Sequence, residues 1–303
     1  MQSRLLLRRL RQVLFFVMVL CIVSVVVAEI GLRPVRLWLI NHYGLDRIFL
    51  DAGAFKMLFV GDSFTAGGRT ESGKGFPEYI EEKLEEKFVP GGRRADVVNI
   101  ALSGTDTFLH RRRLELYLDR NPVKPDLVFI VTGANNHRSK QMQASYRLSR
   151  PDAGITKHLL SALDRSIFLS TLGALAGRIG HDPSGIFQND FSTTEYRLFV
   201  SERFRSELIV MVGMLRDEKI QAVFGTYIRP SDIDQLCLSA LLDVSSRYRI
   251  PLLTVYSEDL DEEFKREGLY ANDLWHPNDR GQKVLAEIFL KLIQDHGLLP
   301  DLS

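Results

Sequence analysis

Apolar residues along this chain fall into three patterns. From Val13 to Ala28 the run is uncharged and apolar on every face. Further along, short apolar runs at Met57–Val60, Asp96–Ile100, Leu127–Val131, Ala222–Tyr227 and Leu252–Tyr256 read as strands. Leu127–Val131 is apolar throughout, as in a strand buried on both faces. Between the strands the spacing becomes helical. Phe76–Phe88 sets Tyr79, Ile80, Leu84 and Phe88 on one side, and Thr107–Leu118 carries charges on its outer face. A helix runs through Leu236, Leu241 and Leu242, and a last one carries Val284, Leu285, Ile288, Phe289 and Leu292. Strands alternating with helices predict a parallel sheet covered on both faces. The expected fold class is α/β, a three-layer α/β/α domain from about residue 54 to the end, preceded by one N-terminal transmembrane helix. There is no internal repeat and no low-complexity segment.

One stretch breaks the rhythm. Residues 138–194 separate the third strand from the next helix and hold a helical pattern through Leu159, Leu160, Leu163, Phe168 and Leu172. Such an insertion can act as a lid or substrate wall, pack on the domain edge, or touch a membrane surface. The segment from Tyr256 to Asp273 reads as a long loop.

Charge changes the picture mainly at the N-terminus. Across all 303 residues the net charge is +1, so nothing points to nucleic acid or a polyanionic partner. Arg4, Arg8, Arg9 and Arg11 precede the apolar run, against only Arg33 and Arg36 just after it. The basic flank places residues 1–12 in the cytoplasm, 13–32 across the membrane as a signal anchor, and the domain outside. Glu29 would sit near the headgroups, Pro34 favours a break, and 33–53 is a linker in which Trp38 suits the interface. The run is slightly shorter than the roughly 20 residues that span a bilayer. Val26-Val27-Ala28 also resembles a cleavage site, so secretion after signal removal stays open. The two cysteines, Cys21 and Cys237, are not expected to pair.

Four short motifs fall where an open α/β sheet binds its ligands, beyond the carboxyl ends of the strands. Gly61-Asp62-Ser63 follows the first strand, and its glycine allows a sharp turn. Asn99-Ile100-Ala101-Leu102-Ser103-Gly104 ends the second, where Gly104 offers an unobstructed N–H. Gly133-Ala134-Asn135-Asn136 ends the third, and the Asn135 amide can donate to a developing oxyanion. Asp273-Leu274-Trp275-His276-Pro277 follows the last strand. A serine hydroxyl needs a histidine to accept its proton, and the histidine needs a carboxylate to fix its tautomer.

Taken together, Gly-Asp-Ser, Gly104, Gly-Ala-Asn-Asn and Asp-x-x-His-Pro resemble the SGNH, or GDSL, hydrolase family over residues 56–295. The resemblance implies a five-stranded parallel sheet in flavodoxin-like order. It also implies Ser63 as nucleophile, His276 as general base and then acid, and Asp273 as its orienting carboxylate. The N–H groups of Ser63 and Gly104 and the side chain of Asn135 would form the oxyanion hole. Asn136 departs from the aspartate common in the family, and altered local bonding is expected there. The implied activity is hydrolysis of O-acyl esters of a glycan or lipid. An O-acyltransferase on the same triad and a non-catalytic glycan-binding envelope protein are the alternatives.

Other signals are weaker. Gly68 to Lys74 resembles a phosphate-binding loop, but Gly75 stands where a Ser or Thr should bind magnesium. The seven histidines show no metal-ligand spacing, so no metal or organic cofactor is expected. Asp62 could bind a metal, but no carboxylate cluster supports it. The Arg111–Arg113 run reads as a solvated helix face. Arg138 and Lys140 could meet an anionic substrate or lie on the open surface.

Overall fold

Five strands form one parallel sheet: β1 (Phe55–Gly61), β2 (Ala95–Asn99), β3 (Leu127–Val131), β4 (Gln221–Gly225) and β5 (Leu252–Leu253), in the order β2-β1-β3-β4-β5. This is the flavodoxin-like order expected from the resemblance. The computed structural model describes residues 44–51, 53–86, 94–149 and 193–300, with separate positions between 19 and 42. Contacts divide the chain into two units, Asn41–Met142 with Phe191–Ser303, and Met1–Ile40 with Gln143–Asp190. The sheet and every candidate site residue lie in the first.

β1 and β3 occupy the middle of the sheet and are buried along their whole length. β1 begins two residues earlier than its apolar run because Lys56 is stabilised inside. Its ammonium donates to the Ala54 carbonyl and lies 3.3 Å from Asp126. At the edge, β5 stops after two residues, shorter than the expected Leu252–Tyr256. Beyond it Val255 donates to the Thr226 hydroxyl and Ser257 to the Ile228 carbonyl, so the chain leaves the ladder.

The helices are α1 (Ser63–Ala66), α2 (Phe76–Glu86), α3 (Thr107–Arg120), α4 (Lys140–Ser149), α5 (Thr194–Asp217), α6 (Gln235–Tyr248), α7 (Glu258–Arg266) and α8 (Asp279–Asp295). α2 packs on α8, while α3, α5 and α6 pack in a row, giving the two helical layers. Phe59, Phe76, Phe129 and Phe289 form an aromatic cluster beneath α2 and α8, with Phe76 and Phe289 centroids 4.8 Å apart. Buried phenyl groups of this kind each contribute about 1.5–3 kcal/mol.

Three expectations change. The segment after Tyr256 is not a plain loop, because α7 fills much of it. Its only fully buried large apolar residue is Phe264, so apolar periodicity could not reveal it. Ser257 caps it, with acids in the first turn and Lys265 and Arg266 in the last. The arginine run on α3 is not simply solvated: Arg113 is buried and donates to the Ile100 carbonyl. At the N-terminus the described positions between 19 and 42 are helical, and Pro34, where a break was expected, is among them with Val35. Proline's fixed φ is compatible with a helix even though it removes one bond. The insertion helix through Leu159–Leu172 lies outside the described residues, as does most of the 13–32 span. Among the described residues no helix is long and apolar enough to cross a membrane.

Candidate active site

The topology reverses between β1 and β3, and the candidate nucleophile lies at that point. Gly61 is the last residue of β1 and not itself the turn. A side chain there would strike Thr65 and approach the Val131 carbonyl, so the requirement is close approach. The turn is made by Asp62, which is extended and caps α1 by accepting from Phe64 N–H at 3.0 Å. Phe64 drops into the core against Tyr227, centroids 5.3 Å apart. Ser63 is thereby fixed at the first position of a single helical turn, with an N–H that helix geometry leaves unbonded.

The candidate base arrives on a tight turn between α7 and α8. Ala271 N–H donates to the His276 carbonyl at 2.7 Å, enclosing residues 272–275. Asn278 closes the base of the turn. Its N–H donates to the Leu269 carbonyl and its amide to the carbonyls of Gly268 and Tyr270. Inside the turn Asp273 accepts from the N–H groups of Trp275 and His276. Its other oxygen lies 2.6 Å from His276 Nδ1, while His276 Nε2 lies 2.7 Å from Ser63 Oγ. With Nδ1–H donating to the carboxylate, Nε2 accepts the serine proton. The three residues singled out from the sequence are therefore brought together.

Two side chains unseen in the sequence hold this pair in register. Gln282 is fully buried on α8; it accepts from Phe76 N–H at 2.8 Å and donates to the Phe64 carbonyl at 3.1 Å. It thus links the helix after His276 to the turn that carries Ser63. Asp232 accepts from the Trp275 indole at 2.7 Å and anchors the middle of the turn.

Two of the candidate oxyanion donors, Gly104 and Asn135, come from two neighbouring loops. A side chain at Gly68 would collide with both Ser103 and Ser63, which shows how closely the loop after β2 approaches the serine. Gly104 follows with φ +74. The Asn135 amide donates to the Thr105 carbonyl at 3.1 Å and lies 3.4 Å from Asp62. The second contact is long, leaving that hydrogen weakly held and open to an oxyanion. Behind these loops runs a buried chain of bonds. Thr105 Oγ1 is 2.8 Å from His110 Nε2, His110 Nδ1 is 2.7 Å from Thr132 Oγ1, and Thr132 is 2.7 Å from Thr107 Oγ1. Thr107 donates to Asn136 at 3.0 Å, so the chain joins the two donor loops. Asn136 Oδ1 also accepts from Thr107 N–H, while its amide nitrogen is buried without a partner among the described residues.

Electrostatics separate the site's acids. Partial burial would raise Asp273, but the bonds from the His276 backbone and ring and from Trp275 N–H prevail and hold it below the usual carboxylate range. Burial pushes His276 below the ordinary imidazole range; Asp273 opposes this, while Arg69 and Arg229 add to it. The imidazole is therefore neutral and able to accept a proton at neutral pH. Burial raises Asp62 to about 6, against the bonds from Tyr227 and Phe64. Asp62 is a buried cap held at 2.7 Å by the Tyr227 hydroxyl, not the metal ligand considered from the sequence. The loop resembling a phosphate binder is occupied too, since Glu71 N–H donates to Asp279 at 2.8 Å.

A family model described as GDSL-like lipase/acylhydrolase matches residues 59–284, most of the chain. The chain belongs to this family. Its members are ester-hydrolysing enzymes, and this acylhydrolase is one of them. No curated protein matches it. Among solved structures it is similar to the psychrotrophic esterase EstA from Pseudoalteromonas sp., with 16% identity over 81% of this chain and 100% of that one, and a TM-score of 0.50. It is also similar to TesA, with 17% identity over 79% and 98% of the two chains and the same TM-score. At such identity these likenesses concern the fold alone.

Proposed function

We propose that this acylhydrolase cleaves O-acyl esters through an acyl-serine intermediate. The observation that carries the reading is the continuous path from Ser63 Oγ through His276 to Asp273, at 2.7 and 2.6 Å. Ser63 Oγ attacks the ester carbonyl carbon as its proton passes to His276 Nε2. Asp273 stabilises the imidazolium that forms. The N–H groups of Ser63 and Gly104 and the Asn135 amide take the negative charge on the carbonyl oxygen. The tetrahedral species collapses, the C–O bond to the alcohol breaks, and His276 returns the proton to the departing oxygen. Water, giving a proton to His276, then attacks the acyl-serine; the acid leaves and Ser63 recovers its hydrogen.

The substrate class is an O-acyl ester of an envelope glycan or a lipid, met outside the cytoplasm by a tethered enzyme. Support for the tether is the basic-then-apolar N-terminus and the exposure of Leu20, Val23 and Val27 on helical backbone. The detergent-solubilised full chain and its Ser63→Ala variant should be assayed on p-nitrophenyl esters from acetyl to long acyl chains. The reading expects turnover that vanishes in the variant, with the chain-length profile choosing acetyl or lipid substrates. Turnover that survives Ser63→Ala overturns it. Ester consumption only with an added sugar hydroxyl would replace hydrolysis by acyl transfer.

A further inference from the structure

A second cluster of chemistry-bearing side chains lies in the same unit, and ester hydrolysis gives it no task. His137 comes from the loop after β3, Asp234 caps α6, and Cys237 stands one turn later on that helix. One ligand atom from each lies within 4.8 Å of the others, and His137 Nε2 is 3.0 Å from Asp234 Oδ2. We propose that these three residues bind a borderline-soft divalent cation of the zinc class.

The geometry fits that class. Zinc takes nitrogen at about 2.0–2.1 Å, oxygen at about 2.0–2.2 Å and sulfur at about 2.3 Å, so tetrahedral ligands stand about 3.3–3.7 Å apart. The cluster needs to close by only about 1 Å to meet this. A mixed nitrogen, oxygen and sulfur set selects against calcium and magnesium, which prefer oxygen alone. Three protein ligands leave the fourth position to water. Cys237 is a buried free thiol, and Asp234 with Cys237 spans the first turn of α6, where residues three apart share a face. Asp234 can serve both roles at once, because Oδ1 accepts from Leu236 N–H as the helix cap and Oδ2 faces His137. On the far side, the Tyr196 hydroxyl donates to the His137 carbonyl at 3.0 Å and steadies the loop.

Arg197 is the competitor. Its Nε lies 2.8 Å from Asp234 Oδ2 and supplies the positive charge that a cation would replace. Its side chain is 39% exposed, so it can turn to solvent when a cation enters. The site thus exchanges a guanidinium for a metal at one carboxylate oxygen. Because His137 follows Asn135 by two residues, a bound cation would tie the loop carrying the oxyanion donor to α6. The proposal stands on this cluster and not on the esterase reading.

The test is titration of the metal-free full chain in detergent with Co²⁺, following the sulfur-to-cobalt charge-transfer band, then displacement by Zn²⁺. The proposal expects one equivalent of cobalt, a band that zinc removes, and its loss in Cys237→Ser but not in Cys21→Ser. Asp234→Asn, which keeps a good helix cap, should weaken binding, and Arg197→Gln should tighten it several-fold. Absence of the band in the wild type, or its persistence in Cys237→Ser, would overturn the site and leave Arg197, Asp234 and His137 as an ion network alone.

Discussion

The segments carrying Ser63 and His276 meet across 2.7 Å but are held by different forces. The serine turn is fixed by burial. β1 is buried throughout, Phe64 is locked in the aromatic core, and Asp62 beneath it is fully enclosed. The histidine turn is largely exposed and is fixed by main-chain and amide hydrogen bonds, notably those of Ala271 and Asn278. It also contains Leu274 at φ +53, a left-handed conformation that costs a leucine about 1–2 kcal/mol. One side of the site is thus rigid because it belongs to the core. The other is a surface turn made rigid by donors and acceptors, with Gln282 joining the two.

The largest expected effect lies at the junction. His276→Ala should lower kcat by about 10⁶-fold, and Asp273→Ala by about 10⁴-fold, as for triad members that act as a unit. Equal losses would mean that the exposed carboxylate does more than orient the ring. Asn135→Ala should lower kcat about 100- to 1000-fold with little change in KM, measured by steady-state kinetics. Gln282→Leu probes the link itself. It strands the Phe76 N–H and the Phe64 carbonyl, and at about 1–3 kcal/mol for each buried group should lower stability by about 2–6 kcal/mol in urea melts. A loss near zero would show that the two turns hold their register independently.

Acid should separate the buried and exposed regions further. Burial, with Arg113 beside it, depresses His110 from 6.5 to about 3. A depressed group contributes stability that is present above its unfolded value and is lost as pH falls through the folded one. Stability should therefore decline from about pH 6.5 towards pH 3, and His110→Gln should flatten that slope in melts taken across the range. The activity limb follows His276, so it should lie below the ordinary imidazole value. The smallest effect is expected at Leu274→Gly, which relieves the left-handed strain and should gain up to about 1 kcal/mol after the entropy cost of glycine.

The sequence showed the parts whose physics is local. Apolar runs marked all five strands, and the Gly-Asp-Ser and Asp-x-x-His segments marked residues that the fold brings together. The hidden parts depend on partners distant along the chain. Gln282 bonds to residues 206 and 218 positions away, so nothing around it in the sequence signals its role. Asp62 looked like a spare carboxylate because its partner Tyr227 lies 165 positions on. His137 and Asp234 are likewise joined only by the fold, which is why ligand spacing along the chain could not reveal them. β5 was read too long because an edge strand can lose its ladder while staying apolar.

The central claim is that Ser63 becomes covalently acylated with His276 as its base. The most direct measurement is mass spectrometry of the full chain after reaction with a reactive organophosphonate ester, in the wild type, Ser63→Ala and His276→Ala. The account predicts one phosphonyl adduct, on the peptide containing Ser63, that is absent in Ser63→Ala and forms far more slowly in His276→Ala. An adduct on another residue, or labelling of Ser63 at an undiminished rate without His276, would contradict it.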